Sequence, residues 1–384
     1  MKGYFRKRGN TWSFTVDIGR KADGSREQKT KGGFKTKKEA EKACAEIISL
    51  VGKDNYIEPS KKAISDLMLE WLDYQLKATL RLSTYENYSK AILKRLIPAF
   101  GHVKLGELKP VHIQKYYKRL QDENLTPEYI TYLHAIMRSF MKYQIRIQNI
   151  QSNVFDLVDP PTIRKKEKAV WSIEEINRFL SIAKEEKNHN FYMIYLIDIY
   201  TGLRRGEVLA LRWKDIDLTN GKLSVCQNLY YSKGGEFHFW EPKTGRSNRL
   251  VSIPESLVKE LHVHKELQQT HINKVREVYE DHDLVITNEL GLPVHPRSLT
   301  DNFRRLTKKS NVTKIRFHDL RHTHATILLQ LGEHVKIVSE RLGHSDASMT
   351  MNVYSHVTRD MQENAARRFE KAMQIDIQNR RMNE

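Results

Sequence analysis

The 384-residue chain has little of what several classes of protein depend on. Its two cysteines, Cys44 and Cys226, are too few for a disulfide framework or a cysteine zinc cluster. Its longest apolar run, residues 191–200, is interrupted by Asp198 and falls far short of the ~20 residues of a membrane span. The basic N-terminus lacks the apolar stretch of a secretory signal. We therefore expect a soluble, cytoplasmic protein without a membrane partner.

Acidic side chains are also scarce. Lys and Arg number 65 against 47 Asp and Glu, which gives a formal net charge of +18. Half of this excess lies in residues 1–38, where twelve basic residues face three acidic ones, a net of +9. Such an excess favours a polyanionic partner, most often nucleic acid. A basic disordered tail is the alternative for this segment.

The pattern of the N-terminal segment favours a folded module over a tail. Trp12, Phe14, Val16 and Ile18 alternate with polar residues, as in a half-buried strand. Asp23-Gly24 predicts a turn to a partner strand at 26–30, and Thr36 to Glu39 reads as a capping box that starts a helix. We predict a small three-stranded sheet backed by one helix. Its predicted DNA contacts are Arg6, Arg8, Trp12, Arg20, Lys21 and Lys29.

Residues 55–62 resemble a linker, and residues 63–158 read as all helix. Four helices are predicted here. The first carries the apolar residues of 64–72, and the second starts at a capping box, Ser83–Glu86, and runs to Ile97. The third starts at Pro110 and the fourth at Thr126-Pro127. Lys90 and Lys94 are candidate DNA contacts, although solvated helix faces alone explain such lysines.

A second boundary lies at residues 159–168, where two prolines precede a charged run. Beyond it, Ser172 to Glu175 is another capping box, and helices alternate with strands near 222–231, 237–240 and 249–253. We predict a multidomain α+β protein with domains at 1–58, 63–158 and 169–384. The last domain should be mainly helical with a small antiparallel sheet.

The stretch F-H-D-L-R-H-T-H-A-T-I-L-L at 317–329 begins polar and turns apolar. His318 and Arg321 are three apart, so on a helix they share a face and suit an anion between them. Five apolar residues should anchor this helix in the core: Phe317, Leu320, Ile327, Leu328 and Leu331. A helix start that is merely polar is the alternative. A zinc site at His318 and His322 lacks the glutamate of H-E-x-x-H and a third ligand set by spacing.

Four further motifs occur along the same region. T-G-L-R-R-G-E at 201–207 places Arg204 where a helix begins, with Glu207 one turn later to orient it. E-P-K-T-G-R at 241–246 lies between two predicted strands, which puts Lys243 on a hairpin tip. L-G-H at 342–344 predicts a helix stop at Gly343, and N-V-Y-S-H brings Tyr354 ten residues after His344. Each motif alone also fits an ordinary helix end or a solvated loop.

Together and in this order, these motifs resemble the tyrosine recombinases, or phage-type integrases, over residues 170–360. The helical segment before them resembles the family's SAM-like core-site-binding domain. The N-terminal sheet and helix resemble the arm-binding domain of integrases from phages and conjugative transposons.

The resemblance implies a role for each motif residue. Arg204 and Arg321 would bind the phosphate, and Glu207 would support the first of them. Lys243 would protonate the leaving group, with His318 and His344 at the reacting phosphate. Tyr354 would be the nucleophile, although in many relatives the tyrosine comes nine rather than ten positions after the last histidine. Arg204 is preferred to its neighbour Arg205, because the family's arginine comes directly after the residue that follows the glycine.

The resemblance implies a site-specific DNA recombinase, the integrase of a mobile genetic element. It would cut and rejoin strands through a 3′-phosphotyrosyl intermediate, with no metal, ATP or other cofactor. Its partners would be double-stranded DNA at core-type and arm-type sites, a homotetramer on DNA, and possible accessory proteins, namely an excisionase and a host DNA-bending protein. An apolar stripe near the C-terminus would dock in cis or in trans: Met361, Ala365, Phe369, Ala372 and Met373.

Other functions stay open. A Xer-like resolvase of the same family is one alternative, and a catalytically silent DNA-binding regulator is another. The residue set would also suit a topoisomerase that reseals the original strand. A metal nuclease is disfavoured because no cluster of carboxylates accompanies the motifs.

Overall fold

The computed structural model of the chain describes residues 3–20, 24–51, 60–164, 169–241 and 248–343, together with residues 366, 367, 369, 370 and 373. The chain divides into two compact units, residues 1–165 and 166–384. The helices, the small sheets and their order agree with the predicted multidomain α+β fold. No helix in the described part is long and apolar enough to cross a membrane.

The first unit begins with the predicted three-stranded antiparallel sheet and its helix. The strands β1 (Tyr4–Arg8), β2 (Thr11–Arg20) and β3 (Arg26–Phe34) pair in that order, and α1 (Lys37–Val51) follows. Phe14, Val16, Ala40 and Cys44 form the buried core between sheet and helix, which confirms the alternation in β2. The capping box is only half formed. Thr36 accepts from the Glu39 N–H at 3.2 Å, but the Glu39 carboxylate accepts from the Lys35 N–H instead of that of Thr36.

Residues 63–158 form a helical region with a separate core, as predicted. The first long helix comprises α2 (Ile64–Glu70), a π-helical segment (Trp71–Leu76) and α3 (Lys77–Thr79). The second comprises α4 (Leu82–Ala91), a π-helical segment (Ile92–Leu96) and α5 (Ile97–Phe100); α6 (Pro110–Asp122) and α7 (Pro127–Arg146) follow, with 3₁₀ turns at Leu105–Glu107 and Val154–Leu157. Trp71, Leu96 and Phe140 lie at the centre of this core.

The start of the second long helix was predicted wrongly. Its N-cap is Arg81, whose carbonyl accepts from the N–H groups of Thr84 and Tyr85 at 2.9 and 3.0 Å. Ser83 therefore lies inside the first turn and cannot cap it, and the helix continues past Ile97 to Phe100. The proline starts are confirmed, since Pro110 and Pro127 stand in the first turn of α6 and α7.

The second unit packs helices around two small sheets. Its helices are α8 (Ile173–Lys184), α9 (His189–Thr201), α10 (Arg205–Leu209), α11 (Glu255–Lys274), α12 (Pro296–Lys309), α13 (Asp319–Gln330) and α14 (Val335–Leu342), with a 3₁₀ turn at Trp213–Asp215. Its strands are β4 (Ile216–Asp217), β5 (Lys222–Val225), β6 (Asn228–Tyr231), β7 (Phe237–Trp240) and β8 (Arg249–Ser252). The Ser172–Glu175 capping box is formed, with both reciprocal hydrogen bonds present.

An aromatic cluster forms the centre of this unit. Trp171, Phe179, Tyr195, Phe303 and Phe317 are buried, and their neighbouring rings lie between 4.8 and 6.1 Å apart. The Trp171 indole also donates to the carbonyl oxygen of residue 313 at 2.6 Å. The first residues of the unit are thus fixed to the segment that leads into α13.

The strands on either side of Lys243 do not pair with each other, contrary to the predicted hairpin. β7 pairs with β6, whereas β8 returns to pair with β5. Val225 lies opposite Arg249, so the β6–β7 hairpin is an insertion between two strands of the other sheet. Residues 241–248 therefore connect two sheets. The side chain of Lys243 lies outside the described residues.

Candidate active site

Helix α13 holds the first half of the site at its N-terminus. His318 is its N-cap residue, and Phe317, Leu320, Ala325 and Leu329 are buried below it. Leu331 was predicted to anchor this helix and does not, since it is 68% exposed. The helix ends at Gln330, and Leu331 is the C-cap residue beyond the apolar face.

Arg321 crosses from α13 to two other segments. Its Nη1 donates to the Gly202 carbonyl at 2.7 Å and its Nη2 to the Leu342 carbonyl at 2.6 Å. Burial, and then the positive charge of Arg204, lowers the pKa of Arg321 to about 9. The side chain is thus still a cation at neutral pH, and its position is set by backbone atoms at the ends of α9 and α14.

Arg204 reaches the same place from the start of α10. Its Nη2 donates to the Gly343 carbonyl at 3.1 Å, next to the carbonyl that Arg321 holds. Its Nη1 and its backbone N–H donate to the two carboxylate oxygens of Glu207, both at 2.8 Å. Glu207 thus orients Arg204 as the sequence predicted. This convergence favours Arg204 over its exposed neighbour Arg205 as the partner of Arg321.

Glu207 is buried between two arginines. Arg249, which the sequence reasoning did not single out, donates from Nη2 to Oε2 at 2.8 Å and from Nη1 to Oε1 at 3.2 Å. Burial alone would raise the pKa of Glu207, but the hydrogen bonds and charge of Arg249, with the charge of Arg204, hold it below its usual value. The carboxylate therefore stays ionised and accepts four hydrogen bonds.

A second layer of ionisable groups lies behind the arginines. Asp198 in α9 is fully buried, and neither carboxylate oxygen has a hydrogen-bond partner among the described residues. Burial raises the pKa of Asp198 well above its usual value, against the positive charge of Arg321. His324 accepts from Arg341 at 3.1 Å, and burial lowers its pKa to about 4, so this imidazole is neutral.

His318 stands at the entrance to this arrangement. It is exposed, and it lines a cleft of about 1680 Å³ together with Arg204. The charged side chains that line this active-site cleft are basic except for Asp301, and beside Arg204 they are Arg205, Arg297, Arg304, Lys308, Lys314 and Arg316. Such an excess of positive charge suits a polyanion. The ring of His322 lies 5.4 Å from that of His318, but no third His, Cys, Asp or Glu joins them within the described ranges to hold a metal ion.

Three predicted catalytic residues, Lys243, His344 and Tyr354, lie outside the described residues. Gly343, which precedes His344, ends α14 with a φ of +65°, so the predicted helix stop is confirmed. The structure brings together Arg204, Glu207 and Arg321, with His318 at the edge. The catalytic roles themselves stay predictions.

The predicted DNA contacts of the sheet fall on two faces. Arg6 and Arg8 pair across the strands with Ser13 and Thr11, on the face opposite to α1. Trp12 packs against the core, and Lys29 lies opposite Val16, so both belong to the face that carries α1. Lys90 and Lys94 are exposed, one helical turn apart. Lys21 and the side chain of Arg20 lie outside the described part, and the DNA contacts stay predictions.

Two residues of the predicted C-terminal stripe are described. Phe369 is 70% exposed and Met373 is 49% exposed. Met361, Ala365 and Ala372 lie outside the described residues.

Sequence reasoning missed Arg249, Arg341 and the role of Asp198 at this site. Arg249 gave no signal, because one arginine at the start of a strand has no distinguishing pattern. Asp198 did give one, since it is the only charged residue within the apolar run of α9.

Three family models match the chain in the order of its folded parts. Residues 4–50 match a model of an arm DNA-binding domain, and residues 63–121 match the N-terminal SAM-like domain of phage integrases. Residues 171–361 match the phage integrase family, a range that contains the whole active-site cleft and all six predicted catalytic residues.

Curated relatives and solved structures agree with these models. A protein of Caldanaerobacter subterraneus subsp. tengcongensis called tyrosine recombinase XerC-like is 31% identical, over 91% of this chain and 93% of the relative. The ICEBs1 integrase of Bacillus subtilis is 28% identical, over 73% and 76%.

Among solved structures, the Tn1549 transposon integrase in complex with a circular intermediate DNA has a TM-score of 0.66, with 21% identity over 79% of this chain and 99% of that one. A lambda integrase tetramer bound to a Holliday junction has a TM-score of 0.56, with 16% identity over 91% and 94%. At these identities the two structures establish a common fold.

Proposed function

The chain belongs to the phage integrase, or tyrosine recombinase, family, and from that premise we propose that it is the integrase of a mobile genetic element. Its family makes it a DNA-binding enzyme of site-specific recombination, which cleaves and rejoins DNA strands. What we propose beyond this is that the DNA it recombines belongs to a mobile genetic element. It is supported by the arm DNA-binding model at 4–50 and by the likeness to integrases of mobile elements.

The convergence of Arg204 and Arg321 on adjacent carbonyls carries the proposed mechanism. Two fixed guanidinium groups, of which that of Arg204 lines the cleft, suit the non-bridging oxygens of a phosphodiester, on which negative charge grows as a nucleophile attacks. We assign these two arginines as the phosphate clamp and Glu207 as the support of the first. His318, at the entrance, would exchange a proton with the attacking group.

The remaining steps use the residues outside the described part. The Tyr354 phenolate would attack phosphorus, and the bond to the 5′ oxygen would break. This forms a 3′-phosphotyrosyl ester, and the leaving 5′ oxygen takes a proton from Lys243 to become a 5′-hydroxyl. His344 would donate a hydrogen bond to the phosphate. A 5′-hydroxyl of another duplex then reverses the step, so neither ATP nor a metal ion is needed for rejoining.

We also propose that domains at 1–58, 63–158 and 169–384 divide the work. The first would bind arm-type sites and the second core-type sites, while the third cleaves. The three matching models and the separate cores of the first two regions support this division. A lambda integrase tetramer on a Holliday junction is known as a solved structure, and we propose a homotetramer on DNA here as well. An excisionase and a DNA-bending host protein would assist.

Formation of a covalent protein–DNA adduct tests the chemistry. Bound duplexes are first selected from a random pool, and the selected site is then nicked next to the candidate cleavage position. Incubation with EDTA should give an adduct that survives a denaturing gel. Tyr354→Phe should abolish this adduct and keep DNA binding, whereas the matched variant Tyr279→Phe should form it normally. An adduct with Tyr354→Phe, or none with the natural chain, would refute the mechanism.

A Xer-like resolvase is the second candidate, because the relative with 31% identity is called XerC-like. Deletion of residues 1–58 separates the two functions. An integrase with arm-type sites should lose binding to one class of selected sites and keep the other. A resolvase that binds one class of site should show equal binding to all sites before and after the deletion.

A further inference from the structure

Arg249 contacts two of the segments that carry the proposed catalytic residues, α10 and the end of α14. It is the first residue of β8, two positions after residues 242–247, which include Lys243 and lie outside the described part. Its Nη atoms donate to both carboxylate oxygens of Glu207, and its Nε donates to the Arg341 carbonyl at the end of α14 at 2.8 Å. The side chain is only 6% exposed, so it does not line the cleft.

The same guanidinium packs against the turn that precedes His344. A Cβ atom added to Gly343 would lie 2.9 Å from Nη1 and 3.1 Å from Cδ of Arg249. The carbonyl of Gly343 accepts from Arg204 at 3.1 Å. Arg249 therefore lies below the turn that Arg204 holds from the other side.

Glu207 depends on both arginines. Two of its four hydrogen bonds come from Arg204 and two from Arg249. Without Arg249, this buried carboxylate would keep a partner on one side only, and Arg204 would lose a fixed support. A lysine could supply the charge but not the planar fork that holds two oxygens.

We propose that Arg249 is a positioning residue for strand cleavage, which fixes Glu207 and the turn at Gly343 so that Arg204 meets the phosphate in one orientation. The inference rests on the proposed function. It assigns Arg249 no contact with DNA. Loss of Arg249 should thus slow cleavage far more than it weakens DNA binding.

The test uses the full chain and the nicked duplex described above. Arg249→Met should lower the single-turnover rate of adduct formation roughly 100-fold, the size expected for one lost transition-state contact. Its dissociation constant for intact DNA should change by no more than about threefold. Arg305→Met is the matched control. It removes a bidentate pair with Glu186 in the same unit, on a side chain that does not line the cleft, and should leave the rate unchanged.

The dependence of the rate on pH separates positioning from a general loss of stability. The charged groups that act on Glu207 are Arg204, Arg249, Arg321 and Asp198. Burial raises the pKa of Glu207, and Arg249 and Arg204 oppose that effect. Without Arg249 the opposition is weaker, so the pKa of Glu207 rises. As the pH is lowered, the rate of Arg249→Met should therefore begin to fall at a higher pH than the rate of the natural chain does. The double variant Glu207→Gln/Arg249→Met has no carboxylate to protonate and should lack this added dependence.

Each outcome decides a separate question. No adduct with the natural chain overturns the proposed function itself. An adduct with the natural chain, together with a rate for Arg249→Met equal to that of Arg305→Met, overturns the inference alone. The inference is also overturned if Arg249→Met loses DNA binding to the same extent as it loses rate. It is overturned as well if the pH dependence of its rate is the same as that of the natural chain. If circular dichroism shows Arg249→Met unfolded, Arg249→Lys decides instead. A slow reaction with normal binding supports the inference, and a natural rate overturns it.

Discussion

Replacement of Asp198 by asparagine tests the electrostatics behind the clamp, because two descriptions of this carboxyl predict opposite signs. Asp198→Asn keeps the shape and removes the ability to ionise. If the effect of burial outweighs the charge of Arg321, Asp198 is either protonated or ionised at a cost in folding stability. Asp198→Asn should then be at least as stable as the natural chain. If Asp198 forms a true ion pair with Arg321, the variant leaves a buried guanidinium without its counter-charge.

The structure favours the first description. Both Arg321 Nη atoms donate to backbone carbonyls, and neither oxygen of Asp198 has a hydrogen-bond partner among the described residues. The folded-state pKa of Asp198 is raised, so the folded state binds more protons than the unfolded state between the two pKa values. Stability of the natural chain must then fall as the pH rises through that window. The advantage of Asp198→Asn should grow by about 1.4 kcal/mol per pH unit there.

Hydrogen exchange of peptides from α9 measures this free energy within the unit that holds Asp198. Exchange is followed at several pH values and corrected for intrinsic rates. Asp217→Asn is the control with the opposite sign, since hydrogen bonds from Asn220 lower the pKa of Asp217 and its removal should destabilise slightly at neutral pH. A loss of about 3–5 kcal/mol in Asp198→Asn, the usual result of breaking a buried ion pair, would refute the reasoning.

Two further substitutions test the backbone and a helix start. Gly202→Ala should destabilise the second unit by more than about 1 kcal/mol and slow adduct formation. The reason is that φ at this position is +65° and the new Cβ would lie 2.6 Å from the His324 ring. Hydrogen exchange in α9 at the natural rate would contradict this. Thr126→Ala should cost about 1 kcal/mol by removal of the N-cap of α7, measured by exchange in α7, whereas Thr126→Ser should restore most of it. Equal stability of the two Thr126 variants would show that the cap contributes nothing.

Local patterns in the sequence predicted much of the fold. The alternation in β2, the prolines that open α6 and α7, and the capping box at Ser172 each depend on neighbouring residues. The predicted start of α4 was wrong, since the N-cap residue is Arg81, whose side chain makes no capping hydrogen bond. A start of this kind leaves no capping residue in the sequence that a local pattern could detect.

Pairing between distant strands could not be predicted in the same way. The strands on either side of Lys243 are adjacent in sequence, so a hairpin was the simplest arrangement. The observed pairing of β8 with β5 depends on Val225 and Arg249, which are separated by a whole inserted hairpin. Loop-closure entropy makes such contacts a property of the complete fold.

The candidate site was predictable where a motif defines a residue type at a helix end. Glu207 contacts Arg204 as the spacing of the motif suggested, and Arg321 approaches Arg204 as the resemblance implied. Arg249 was not predictable, because its partners come from α10 and α14, far away in the sequence. The motifs thus identified the residues that they contain, including the buried Glu207, but not a supporting residue that lies outside them.

Arg204 and Arg321 donate hydrogen bonds to the main-chain oxygens of residues 202, 342 and 343. No exchange of one amino acid for another can delete a carbonyl group, so these three acceptors persist through any drift of side chains around them. A substitution can displace them only by changing the path of the backbone, and two of the three residues are glycines with left-handed φ angles of +65°. Divergent descendants of this protein should accordingly vary at position 342 and retain glycine at 202 and 343.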